Sequence, residues 1–236
     1  MERLLKKYHI PYVKRQRGTK SDITKFNLIL SFGGDGTFLE AARVSPGSFI
    51  VGINSAPNFS VGCLCTMTPQ NAENFFIGLS TGQYAEKTFH KINVLLPGHK
   101  NLNAINDVLI AHKNPAATSR YLIKIDKTSE EQRSSGIWIS TPIGSTAGIM
   151  SAGGKQIEKH QNKFQYMPRE IYVYKNIKYK LTGSILKSTQ QLHITSFMRQ
   201  GMIFIDGSHC LHPFPYGARI RISLSATPLK TIILKK

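Results

Sequence analysis

Cysteine is scarce in this sequence. Cys63, Cys65 and Cys210 are the only three, too few for a disulfide framework and without the repeated spacing of a zinc site, so a reducing compartment, the cytoplasm, is expected. Acidic residues are scarce too: 13 Asp and Glu stand against 31 Lys and Arg, a formal net charge of +18. Such a field attracts something anionic, or else belongs to a solvated surface. Charge alone does not separate nucleic acid, an acidic membrane surface and a phosphate-rich metabolite. No apolar run approaches the roughly 18 residues of a membrane span, and the N-terminus lacks the hydrophobic stretch of a secretory leader. Internal repeats and low-complexity linkers are absent. The remainder is ordinary for a globular protein: 236 residues, 41% of them hydrophobic, which excludes disorder and suffices for one large domain or two small ones.

Residues 27–32 (NLILSF) form a short apolar run that stops at two glycines, the pattern of a buried parallel strand entering a phosphate-type turn. Phe38, Leu39, Ala41 and Ala42 predict a helix behind it. Ser45, Pro46 and Gly47 predict a turn, and residues 49–53 a second buried strand. Thr68 and Pro69 read as N-cap and first position of a helix whose apolar face is Ala72, Phe75, Phe76 and Leu79. Residues 1–86 therefore read as an α/β domain of Rossmann-like type. From about Lys87 the texture changes to β-branched and aromatic segments at 89–95, 104–111, 120–125, 136–141, 170–174, 192–197, 202–205, 219–224 and 231–234. These predict a mostly antiparallel β domain over residues 87–236. One helical interruption is expected at 145–152, and the Lys- and Gln-rich stretch 156–166 reads as an exposed loop.

The chemistry gathers first in GGDGT, Gly33 to Thr37. Glycines let backbone amides approach phosphate, and the N-terminus of the following helix favours negative charge. A carboxylate in such a cradle is electrostatically awkward. Asp35 makes sense there if it removes a proton from an acceptor hydroxyl while Mg²⁺ screens the phosphates; the plain alternative is a helix cap. Trp138 alternates with Ile137 and Ile139 and reads as core. His209 and His212 flank Cys210 beyond a hairpin signal at Asp206 and Gly207, without a fourth ligand, so no metal site is expected there. Arg120 and Arg133 are better candidates for anion contacts than the terminal lysines.

GGDGT resembles a segment shared by NAD kinases, diacylglycerol and sphingosine kinases, and phosphofructokinases. Three further segments, in order, resemble the NAD kinase family: Asn54 with Gly62, Cys63 and Leu64; Asn106 and Asp107 within AINDVLI; and TPIGSTA at 141–147. The resemblance extends over nearly the whole chain and is strongest to the short, plant-type NADH kinases, through residues 106–125, 133–136 and 151–154. It implies an NAD kinase-like fold, an α/β domain followed by a β domain, and transfer of phosphate from ATP with Mg²⁺ to the adenosine 2′-hydroxyl of NAD or NADH. By the same resemblance Asp35 is the general base, and Gly33, Gly34, Gly36 and Thr37 border the phosphates. Asn106 and Asp107 hold the dinucleotide's hydroxyls, and Thr146, Ala147 and Ser151 line its adenosine. An Asx turn at Asn106 and an N-cap at Ser145 are the structural alternatives. A homodimer or homotetramer is implied as well.

Four departures stand out. Gly148 replaces a common Tyr, Ser135 an acidic residue, Cys63 a His and Ala56 an acidic position. The family's first strand is not found ahead of residue 27, with residues 1–9 read as the remnant of its first helix; either this is a minimal form or the sequence begins downstream of a longer start, and an open sheet edge is expected. Two other classes compete: a lipid or sphingoid kinase docking through the basic surface, and a non-catalytic nucleotide- or nucleic-acid-binding protein on the same scaffold. Asn106, Asp107 and TPIGSTA favour the dinucleotide over a lipid, and the retained Asp35 argues against a nucleic-acid partner.

Overall fold

The computed structural model describes residues 1–16, 18–19, 25–44, 47–99, 102–174 and 177–235. The turn expected at Ser45 and Pro46 lies outside them. The chain divides into two compact units, Met1–Thr88 with Leu229–Lys236, and Phe89–Pro228.

The first unit contains α1 (Glu2–Lys7), β1 (Leu28–Gly33), α2 (Asp35–Val44), β2 (Phe49–Asn54), β3 (Cys65–Met67), α3 (Ala72–Ser80) and β4 (Tyr84–Phe89). β1 and β2 are parallel and in step, from Leu28 opposite Phe49 to Gly33 opposite Asn54. β2 runs through the interior, with Ile50, Val51 and Ile53 fully buried. β1 ends the described sheet, so it is only half-buried and leaves Phe32 51% exposed, not the buried strand that its composition suggests. α3 starts at Ala72, after Asn71, three residues later than expected. The Asn71 side chain accepts the Thr68 N–H at 2.8 Å and the Asn71 N–H bonds Thr68 O, so Pro69 occupies a turn, where its fixed φ also fits. The helix face Ala72 and Phe75 then packs on Val51, Ile53, Met67 and Ile232.

Ile232 belongs to the last strand, which returns to this unit. The boundary expected at 86/87 assigned residues 229–236 to the β domain; instead Lys230 pairs in parallel with Phe49 of β2. A β-branched run carries no information about which sheet it joins, because that pairing is non-local.

The second unit is built from β5 (Ile92–Leu95), β6 (Leu102–Ala104), β7 (Asp107–His112), β8 (Ser119–Ile125), β9 (Thr128–Ser134), β10 (Ile137–Ser140), α4 (Gly148–Ser151), β11 (Lys163–Pro168), β12 (Ser184–Lys187), β13 (Leu192–Ser196), β14 (Gly201–Ile205), β15 (Cys210–Pro213) and β16 (Arg219–Leu224); the last strand of the chain, β17, is Leu229–Leu234. Two six-stranded antiparallel sheets, β12-β11-β10-β7-β14-β15 and β6-β5-β16-β13-β8-β9, share one core that includes Val94, Ile110, Tyr121, Ile139, Phe164, Ile194, Ile203 and Ile222. The expected exposed loop at 156–166 contains the start of β11, whereas the expected strand at 170–174 is irregular. Gln165 explains the misreading. It is 2% exposed, and its amide exchanges two hydrogen bonds, 3.0 and 2.7 Å, with the backbone of Lys155. A satisfied polar group of this kind is buried without penalty and imitates a surface residue in the sequence.

Candidate active site

Gly33 and Asn54 end neighbouring parallel strands, so the loops after β1 and β2 leave from the same carboxyl edge, where open α/β sheets bind ligands. Asp35 is the first residue of α2, half-buried. Its carboxylate does not cap its own helix. It accepts the N–H groups of Cys63 at 3.1 Å and Leu64 at 2.8 Å, across from the loop that follows β2.

That loop is shaped by Asn54, which is buried. Its amide donates to Ser60 O at 2.8 Å and its carbonyl accepts the Ala56 N–H at 3.1 Å. Gly62 has φ +59, and a Cβ there would lie 2.4 Å from the Asn54 amide nitrogen. Only glycine meets both conditions, and the chain then presents the next two amides to Asp35.

In the turn itself two of the three glycines have a steric reason. A Cβ on Gly33 would meet the Thr37 hydroxyl at 2.4 Å and one on Gly34 the Ser60 hydroxyl at 2.8 Å, whereas Gly36 faces open space. The first intrahelical bonds run from Thr37 and Phe38 N–H to Gly34 O. The preceding amides of Asp35 and Gly36 are therefore of the kind that an anion completes. Cys65 donates weakly to Gly33 O. Burial, then the charge of Asp35, pushes its thiol up to about 11, so it is no thiolate at neutral pH.

In the second unit the expected single strand 104–111 is broken. β6 pairs with β5 in one sheet and β7 with β10 and β14 in the other, so Ile105 and Asn106 carry the chain across the core. This corner is held from two sides. Thr141 Oγ1 donates to Ile105 O at 2.7 Å, and the Thr141 N–H donates to Asn106 O at 3.1 Å. Gly144 approaches so closely that a Cβ would stand 2.0 Å from Asn106 O. From the other side the Asp206 carboxylate accepts the N–H groups of Ile105 at 3.0 Å, Asn106 at 2.7 Å and Asp107 at 3.2 Å.

Asp107 is 6% exposed. Burial first, and then the charge of Asp206, pushes its carboxyl up to about 7. Among the described residues neither its carboxylate nor the Asn106 side chain has a hydrogen-bond partner. No Asx turn forms at Asn106.

TPIGSTA leaves β10 as a 3₁₀ turn, Ile143–Thr146, followed by the single turn α4. Ser145 is not an N-cap: its buried hydroxyl donates to Pro142 O at 2.7 Å and accepts the Ile157 N–H at 3.0 Å. Thr146 and Ser151 are exposed, and Ala147 is half-buried. Gly148 has a local explanation, since a Cβ there would come within 2.9 Å of the Trp138 ring; the half-buried indole fills the volume that a side chain at 148 would need. Arg120 and Arg133 stand directly opposite each other on β8 and β9, both exposed. Asp206 was missed in the sequence, because Asp-Gly after a strand reads as hairpin chemistry alone.

The structure thus groups Gly33 to Thr37 in the first unit, and Asn106 and Asp107 with the TPIGSTA turn in the second. Residues 105–234 match the family described as ATP-NAD kinase C-terminal domain. A probable NADH kinase of Oryza sativa is 31% identical over 98% of this chain and 78% of its own. An NADH kinase of Arabidopsis thaliana is 31% identical over 89% and 74%. Among solved structures, an NAD kinase from Archaeoglobus fulgidus in complex with ATP superposes with a TM-score of 0.80 at 21% identity, covering 99% of this chain and 87% of that one. Yeast NADH kinase complexed with NADH gives 0.74 at 17%, covering 88% and 62%. The chain belongs to the ATP-NAD kinase family.

Proposed function

We propose that this protein transfers the γ-phosphoryl group of ATP to the adenosine 2′-hydroxyl of NAD or NADH. The oxygen of that hydroxyl forms a bond to the γ-phosphorus, the bond to the β–γ bridging oxygen breaks, and ADP leaves with its electron pair. The hydroxyl proton goes to Asp35. The observation that carries this reading is the Asp35 carboxylate, mounted on a glycine turn at the head of α2 and aimed by two backbone N–H groups. A carboxylate fixed in this way suits a loose phosphoryl-transfer transition state in which positioning and charge stabilisation dominate.

Gly33, Gly34, Gly36 and Thr37 border the phosphates in this reading. Asn106 and Asp107 take dinucleotide hydroxyls, and Thr146, Ala147 and Ser151 line the adenosine. Mg²⁺ would enter with ATP and screen the phosphates. The half-exposed edge of β1 supports assembly as a homodimer or homotetramer, and sparse cysteine supports the cytoplasm as the compartment.

The test is incubation of the purified protein with ATP, Mg²⁺ and NAD or NADH, followed by measurement of NADP(H). Asp35→Asn should lower turnover by roughly 10²- to 10⁴-fold with dinucleotide affinity within about threefold. Near-normal turnover of this variant would remove Asp35 as the base.

A further inference from the structure

Asp206 closes β14 in a left-handed conformation, φ +50, which Asp and Asn adopt more readily than other side chains. It is 9% exposed. Its carboxylate accepts three successive backbone N–H groups, those of Ile105, Asn106 and Asp107, and its own N–H donates to Asp107 O at 2.9 Å. Together with Thr141 on the carbonyl side, this satisfies the main chain of the corner. The two side chains that the corner carries are left without partners among the described residues. A buried carboxylate beside a second buried carboxylate is costly if its only task is to turn the chain. A turn alone needs no such charge, whereas a site that must fix an amide and a carboxylate for an incoming ligand needs a rigid backbone beneath them.

We propose that Asp206 is the positioning residue of the dinucleotide site: by clamping the Ile105–Asp107 amides it holds the Asn106 and Asp107 side chains ready for the hydroxyls of NAD(H). This rests on the functional reading above and adds a residue that touches no substrate itself. Its effect is therefore confined to one of the two substrates.

Asp206→Asn tests it, because Asn accepts the left-handed turn but replaces one acceptor oxygen with a donor facing three N–H groups. The expected result is a KM for NAD or NADH raised at least about tenfold, with the KM for ATP unchanged and kcat within about threefold, the pattern of lost uniform binding. In combination with Asn106→Ala the penalties should not add, since both act on one group. A merely structural role would lower the active fraction, reducing kcat with both KM values kept, and its effects would add to those of Asn106→Ala. Either of those outcomes overturns the proposal. Should the Asn variant not fold, Asp206→Gly keeps φ +50 without strain and is held to the same KM ratio. If the wild-type protein forms no NADP(H) from either dinucleotide, the functional reading itself fails, and the positioning role with it; if it does form NADP(H) and the KM ratio is unmoved, only the positioning role fails.

Discussion

Replacing Asp107 with Asn should stabilise the ligand-free protein at alkaline pH while damaging its site. Asp107 ionises at about 3.8 in an unfolded chain but only at about 7 in the fold, through burial and the neighbouring Asp206 charge. The folded-state value is the higher one. The stability that Asp107 contributes is therefore fully present below about pH 3.8 and is lost as pH rises through about 7. At roughly 1.4 kcal/mol per pH unit, that interval corresponds to a loss on the order of 4–5 kcal/mol. Asn has no charge to bury. Urea unfolding at pH 4.5 and 8.5, extrapolated to water with unchanged slope, should show Asp107→Asn within about 1 kcal/mol of wild type at the lower pH. At the higher pH it should be more stable by a few kcal/mol. NAD should stabilise wild type but not the variant. A difference that is constant across pH would refute the reasoning, since packing and hydrogen bonding do not titrate and ionisation does.

Further outcomes follow from the glycines and the indole. Gly62→Ala, at φ +59 and 2.4 Å from the Asn54 amide nitrogen, should cost about 1–3 kcal/mol, readable by thermal unfolding. It should also lower kcat more than it changes the KM for NAD(H), because the Cys63 and Leu64 amides shift away from Asp35. Gly148→Tyr should destabilise by about 1–3 kcal/mol through overpacking on Trp138, and Trp138→Ala should relieve most of that cost in the double variant. Trp138 is the only tryptophan, so its emission should change when NAD is titrated in; an unchanged spectrum with binding seen by calorimetry would separate this strand from the site.

Much of this is legible in the order of residues alone. GGDGT announces its turn because Gly33 and Gly34 answer local steric demands, and the helical spacing of Phe38, Leu39, Ala41 and Ala42 is a local pattern. The β-branched and aromatic texture after about Lys87 belongs mostly to antiparallel sheets, whereas β1, β2 and β3 pair in parallel. Other features were hidden for definite reasons. β11 reads as a loop because the hydrogen bonds that permit Gln165 to be buried lie on Lys155. β9 is polar along its length, and β15 turns Leu211 and Pro213 outward, so neither carries a regular apolar signal. The break at Asn106 was invisible because two strands in different sheets share one continuous apolar pattern.

The sequence by itself determined the two kinds of domain, the glycine turn with its carboxylate, and the family, because these depend on residues close together in the chain. Tertiary structure alone decided that β17 returns to the first sheet and that Asn54 shapes the loop whose amides orient Asp35. It alone also joined Asp206 to a corner one hundred residues earlier. Such contacts close long loops, and nothing in the local order of residues records which distant partner satisfies a buried donor or acceptor.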